Sequence, residues 1–160
     1  MSDKDDLLKK LIDTRSATRA LLKGADPEMR VYTDTEWRIR DILGHIATWD
    51  RQVAKSLRAF SAGTEYFIPG IDEDESEYNE QAVLEQRTLS TQEIIGEWEH
   101  AHDDLREAIR EIPSDQFPGD VLYPWGEERG SIAKLMEYMI EHEDEHRDEI
   151  EKALKASAEN

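Results

Sequence analysis

Apolar residues in this chain recur every three to four positions, in four blocks, and no block alternates with a period of two. That spacing gathers them on one side of an α-helix. The first block runs from about Asp3 to Leu22 and carries Leu7, Leu8, Leu11, Ile12, Thr18, Leu21 and Leu22, with Gly24 and Pro27 as its stop. The second runs from about Thr35 to Phe60, with Ile39, Ile42, Leu43, Ile46, Trp49, Val53 and Leu57; Thr33 and Glu36 fit a capping box at its start. The third opens on a clearer box, Ser90 with Glu93, continues through Ile94, Ile95, Trp98, Leu105, Ile109 and Ile112, and ends at Pro113. The fourth starts near Ser131 and carries Ile132, Leu135, Met136, Met139 and Ile150. Four helices with one apolar side each are best buried as a four-helix bundle. The expected fold class is therefore all-α, with one domain over residues 1–160.

The connections differ in length. Gly24 to Asp34 is short, whereas Gly63 to Leu89 is long enough for a crossover or for a helical piece of its own from about Glu75 to Arg87. The acidic run Asp72 to Glu75 lies inside it. Pro113 to Gly130 is rich in turn residues yet holds Tyr123 and Trp125, which are expected to fold over one end of the bundle.

Composition removes several functions. Asp and Glu number 38 against 20 Lys and Arg, for a formal charge of −18. Such a surface repels phosphate backbones and anionic lipid, so neither nucleic acid nor a membrane is an expected partner. There is no Cys, which excludes disulfides, thiolate metal sites and a cysteine nucleophile. Met1 to Asp6 has no basic or apolar leader character and no apolar run approaches about 20 residues, so the chain is expected in the cytoplasm.

The five histidines carry the chemistry. In the fourth block the apolar side reads Leu135, Met139, His142, His146, Ile150; in the second it reads Ile42, His45, Trp49, Val53. Three imidazoles thus stand where apolar residues are expected. A His pair at i and i+4 reaches one ion from one helix face, and His45 from a facing helix completes a three-nitrogen set. Neutral imidazole suits Zn²⁺, Ni²⁺, Cu²⁺ or Fe²⁺. Three protein ligands leave positions open for water or substrate. The alternative is a pair of hydrogen-bonded or solvated histidines, with Glu143, Glu145 or Glu149 as partners among seven carboxylates between Glu141 and Glu151. His102 is the one further candidate ligand, His100 faces outward, and Glu149 is expected to support the site from behind at most.

The chain resembles the DinB-like (DinB/YfiT-like) superfamily. The resemblance is carried by Asp41-Ile42-Leu43-Gly44-His45-Ile46-Ala47-Thr48-Trp49, by Tyr78-Asn79, by Trp125-Gly126, and by His142 with His146. The branch it looks most similar to is that of the colibactin self-resistance proteins. The resemblance implies an up-up-down-down bundle with a long connection between the second and third long helices, frequent dimers, and a metal site at His45, His142 and His146. Other branches are thiol-dependent transferases and isomerases using mycothiol or bacillithiol.

Three functions follow as expectations. The first is a metal-dependent enzyme, a hydrolase or a thiol-dependent transferase, acting on a small molecule. His45, His142 and His146 would hold a divalent transition metal, zinc or nickel foremost, and any thiol must arrive as a cosubstrate. Trp49 and Trp125 would line the substrate pocket, and Tyr138 would donate to a developing oxyanion. Core packing is the competing role for Trp49, Trp125 and Tyr138. The second is a metal-independent resistance or detoxification protein that hydrolyses or sequesters an electrophile. The third is a non-catalytic, dimeric binding module for a small molecule or peptide.

Overall fold

The computed structural model describes residues 3–71 and 75–159; most of the acidic run, residues 72–74, lies outside the described residues. The elements are α1 (Asp3–Leu22), α2 (Ile39–Ser61), α3 (Glu75–Gln86), α4 (Thr91–Arg110), the two-residue strands β1 (Val121–Leu122) and β2 (Arg129–Gly130), and α5 (Ile132–Ala158). The fold is all-α, with α1, α2, α4 and α5 as the four long helices. The small antiparallel hairpin pairs Val121 with Gly130 and Leu122 with Arg129, and two residues per strand are too few to show a period of two.

Helix starts follow local hydrogen bonding. At α4 the Glu93 N–H donates to Ser90 Oγ (3.1 Å), and at α5 the Lys134 N–H donates to Ser131 Oγ (3.1 Å). The second helix begins at Ile39, not at Thr35. Glu36 has φ +62°, a left-handed conformation that no helix continues through. The preceding loop folds back instead: the N–H groups of Val31 and Tyr32 donate to Trp37 O, and Ile39 N–H donates to Met29 O. Asp41 supplies the cap that Thr33 and Glu36 were expected to supply, accepting from the Arg38 N–H at 2.9 Å.

Contacts between helices fix their directions. Arg40 meets Thr91, Arg51 meets Glu97 and Arg58 meets Asp104, so α2 and α4 run parallel. Lys4 meets the Arg110 carbonyl, Leu11 meets His102 and Arg15 meets Trp98, so α1 and α4 run antiparallel. The core agrees. One apolar cluster joins Leu7 and Leu11, Val53 and Leu57, Leu105 and Ile109, and Leu135 and Met136. The other joins Leu21 and Leu22, Ile39 and Ile42, Ile94 and Trp98, and Ile150 and Leu154. The order is therefore up-down-down-up, which corrects the expected up-up-down-down. The connections accommodate it: residues 23–38 and 111–131 each return the chain in the opposite direction, while the parallel, closely packed pair α2 and α4 needs the long crossover that holds α3.

Two burial assignments differ from the apolar pattern. Ile12 is exposed and the first helix buries Arg15, with Thr14, instead, while Thr18 is buried as the pattern expects. Arg15 is 1% exposed. Its Nε lies 2.9 Å from both carboxylate oxygens of Glu143, its Nη2 lies 3.0 Å from Asp50 Oδ2, and its Nη1 donates to the Trp98 carbonyl at 2.7 Å. The guanidinium also stacks 4.1 Å from the Trp98 ring centre. A charge so deep is tolerable only when paired and hydrogen-bonded, and Glu143 and Asp50 are buried with it. This cluster ties α1, α2, α4 and α5 together one residue away from His142 and one from Trp49.

Candidate metal centre

His45 projects from the middle of α2, and His142 and His146 from successive turns of α5. Because α2 and α5 run antiparallel, the three rings meet. His45 Nε2 lies 3.0 Å from His142 Nε2, and His146 Nε2 lies 3.1 Å from the same atom. One donor atom from each residue lies within 4.8 Å of the others. The rings stand edge to face, with centroids 4.6 to 4.9 Å apart.

This packing is poorly satisfied by hydrogen bonds alone. A neutral imidazole nitrogen either donates one proton or accepts with one lone pair. His142 Nε2 therefore pairs well with one neighbour and leaves the other contact without a match. A cation removes the conflict. Ligand nitrogens about 2.0–2.1 Å from one ion stand about 2.9–3.4 Å from each other, which is the spacing of His142 Nε2 from each of its two neighbours.

The protonation states suit ligation. Burial, then the neighbouring His142 and His146, pulls the His45 pKa down to about 2. Burial, then His146, lowers that of His142 to about 4, against a smaller raising effect of Asp50. Burial also lowers His146, opposed by Glu149 and Glu145. All three are neutral at pH 7 with lone pairs available. The His146 tautomer follows from its surroundings: Nδ1 lies 2.9 Å from Glu149 Oε1 and 2.9 Å from the Tyr32 hydroxyl, which itself donates to Glu149 (2.8 Å). A proton on Nδ1 satisfies both, which leaves Nε2 bare. Glu149 thus stands behind the site. Glu143, read from sequence as a surface partner, is buried on Arg15, and Glu149 is the carboxylate that pairs with His146.

His102 stays apart from the cluster. Its Nε2 donates to the Leu11 carbonyl (3.2 Å), and its Nδ1 is 3.7 Å from Asp50. It packs among buried groups and offers no fourth ligand. His100 is exposed, as expected.

Trp49, Trp125 and Tyr138 do come together beside the histidines. With His45, His142 and Met139 they line a cavity of about 180 Å³, completed by Asn79 and the exposed Glu75 from α3. Each ring has its polar tip anchored. Trp49 Nε1 donates to Asn79 Oδ1 (2.8 Å), Trp125 Nε1 donates to Glu128 Oε1 (3.1 Å), and the Tyr138 hydroxyl donates to Glu128 Oε2 (2.9 Å). Glu128 was not read as a site residue; its spacing of three from Trp125 in a tight turn was the available signal. Trp37 was also missed: it is buried against the His45 ring, with centroids 5.2 Å apart, and its Nε1 donates to Glu80 (3.0 Å). Nothing in its own neighbourhood of sequence pairs it with a histidine eight positions on.

A family model described as the DinB superfamily matches residues 10–150. No curated protein sequence matches the chain. Among solved structures, the fold is similar to that of an uncharacterised protein from Escherichia coli UTI89, with a TM-score of 0.79 at 15% identity, covering 97% of this chain and 94% of that one. It is also similar to a mycothiol-dependent maleylpyruvate isomerase, with a TM-score of 0.73 at 16% identity, and to a histidine-to-alanine variant of that enzyme, with a TM-score of 0.74. In both cases 93% of this chain is covered, but it spans only 62% of the isomerase.

Proposed function

The chain belongs to the DinB superfamily, and on that premise we propose that it is a metal-dependent enzyme acting on a small molecule at His45, His142 and His146, with a thiol as cosubstrate. The observation that carries the proposal is the meeting of three neutral Nε2 atoms at 3.0 and 3.1 Å. A divalent transition metal, zinc or nickel first, would supply Lewis acidity, either to activate water or to hold a thiolate. The chain has no Cys, so the thiol comes from outside. The likeness to a mycothiol-dependent isomerase supports thiol chemistry over plain hydrolysis.

The chain's own residues then have distinct tasks. Glu149 and Tyr32 hold the His146 ring in the ligating tautomer. Trp37 blocks the far side of His45. Trp49 and Trp125 form walls of the substrate cavity and exclude water from it. Tyr138 donates to an oxyanion once its hydroxyl turns from Glu128.

The test is metal analysis of protein purified without a polyhistidine tag, with zinc titration of the intact protein and of His45→Ala and His142→Ala. One tightly held ion per chain is expected, surviving 0.5 M salt, and lost by at least a hundred-fold in affinity in each variant. Metal held equally by both variants would overturn the ligand set. A metal-free protein that stays active on an electrophile would point to metal-independent detoxification, and an inert one to a binding module.

A further inference from the structure

The walls of the cavity beside the histidines indicate the charge of what enters it. This step rests on the reading above only in taking that cavity as the substrate site. The indole rings of Trp49 and Trp125 stand with centroids 6.2 Å apart at 61°, and Trp125 and Tyr138 stand 5.8 Å apart at 61°. The rings pack edge to face against one another and together form part of the cavity lining. Their N–H and O–H groups are all engaged, by Asn79 and Glu128. The rings therefore offer π-faces, and no donor of theirs is free while Asn79 and Glu128 hold them. A face of this kind attracts a cation and gives an anion nothing to bind.

Charge points the same way. The cavity is lined by no Lys or Arg among the described residues, and its one carboxylate is Glu75. A second cavity, of about 330 Å³, shares Asn79 with the first and runs past Tyr32 and Trp37; it too has no basic lining residue. Lys134 lies outside the lining, 5.5 Å from the Tyr138 ring centre, and is held by Glu128 at 3.0 Å. Arg15 is buried on Glu143 and Asp50. One carboxylate of a substrate could meet an ion at the histidines. A second would find no cationic side chain in the lining, inside a chain of net −18.

We propose that the small molecule bound here carries an organic cation, an ammonium seated in the cavity against Trp49 and Trp125, and that dicarboxylates are rejected. The site thus differs in substrate class from one that takes a dianion such as maleylpyruvate.

The test titrates the zinc-loaded and zinc-free protein with benzyltrimethylammonium, 3-phenylpropionate and maleate, following heteronuclear NMR shifts at 150 mM salt. Benzyltrimethylammonium is expected to bind at least ten-fold tighter than 3-phenylpropionate, and maleate to show no saturable shift beyond the three histidines. Trp125→Leu is expected to weaken the ammonium at least five-fold, Trp125→Phe to restore most of it, and Glu151→Gln, a distant surface change, to leave it unaltered. Equal or tighter binding of either carboxylate overturns the proposal. So does an ammonium affinity that Trp125→Leu leaves unchanged, since that is adsorption to the acidic surface. Far-UV circular dichroism and zinc stoichiometry on the same samples show that the variants are folded. Zinc bound without ammonium binding defeats this inference alone; ammonium bound without zinc defeats the metal reading alone.

Discussion

Replacing Arg15 by Met should damage this protein more than any single apolar truncation on α1. The side chain is 1% exposed, and Glu143 and Asp50 beside it are each 3% exposed. Met approximates the volume of the Arg stem but leaves two carboxylates without their cation. Removing one member of a buried ion network costs about 3–5 kcal/mol, because a charge remains in a low-dielectric interior. For a chain of this size that is a fall in Tm of about 6–20 °C. Urea unfolding at pH 7 measures it. A second variant separates charge from packing: Arg15→Met combined with Glu143→Met and Asp50→Leu removes the whole network. If uncompensated charge is the cause, the triple variant regains most of the lost stability. If the triple variant is no more stable than the single, the loss belongs to the guanidinium packed 4.1 Å from the Trp98 ring, and the electrostatic account is refuted. A cost below about 1 kcal/mol for Arg15→Met would refute it more directly. The same single variant should loosen zinc binding, since Glu143 precedes Asp144 on the turn that carries His142, and Asp50 follows Trp49.

Other outcomes are also expected. The metal-free protein should lose stability as pH falls below about 6.5: unfolded histidines take up protons there, while His45 and His142, with pKa values lowered to about 2 and about 4, do not. The slope is about 1.4 kcal/mol per pH unit for each such histidine, and a urea midpoint that is flat from pH 7 to 5 would contradict it. Gly44→Ala should change stability by less than about 1 kcal/mol, because the helix propensity gained offsets the shift of the Gln86 amide end that its Cβ would displace, measured again by urea. Ser90→Ala should cost about 1 kcal/mol through the lost cap of α4, and a change within experimental error would show that Glu93 alone suffices. Glu128→Leu should free both Trp125 and Tyr138, raising solvent quenching of tryptophan emission without unfolding the bundle.

The elements that bury a broad apolar stripe were legible from spacing alone. The first helix ends at Leu22 as the pattern says, and the Ser90–Glu93 cap forms as expected. The inward histidines were legible for the same reason: a polar residue at an apolar register position stands out. Arg15 was not, because a charged residue on a helix reads as solvent-facing unless its partners are known, and Glu143 and Asp50 lie 128 and 35 positions away. Ile12 shows the converse error, an apolar residue one step off the stripe and exposed. The start of α2 was missed because hydrogen bonds to the Met29 and Trp37 carbonyls, not local propensity, hold residues 29–38 out of helix. Helix direction also escaped the pattern, since an apolar stripe is the same read from either end. Only pairings such as Arg40 with Thr91 reveal it.

The parallel course of α2 and α4 has one more consequence. It forces the chain to travel back along the bundle, and the return carries α3, of whose residues only Val83 is buried. That strap supplies Asn79 and Glu75 to the cavity, while the imidazoles sit on rods fixed by the core. Reactivity and selectivity are thereby housed in separable pieces. Changes confined to Glu75 and Asn79 would redirect the site to new substrates and leave the ion-holding frame untouched, while Ile68, Ile71 and Val83 keep the strap seated in the core.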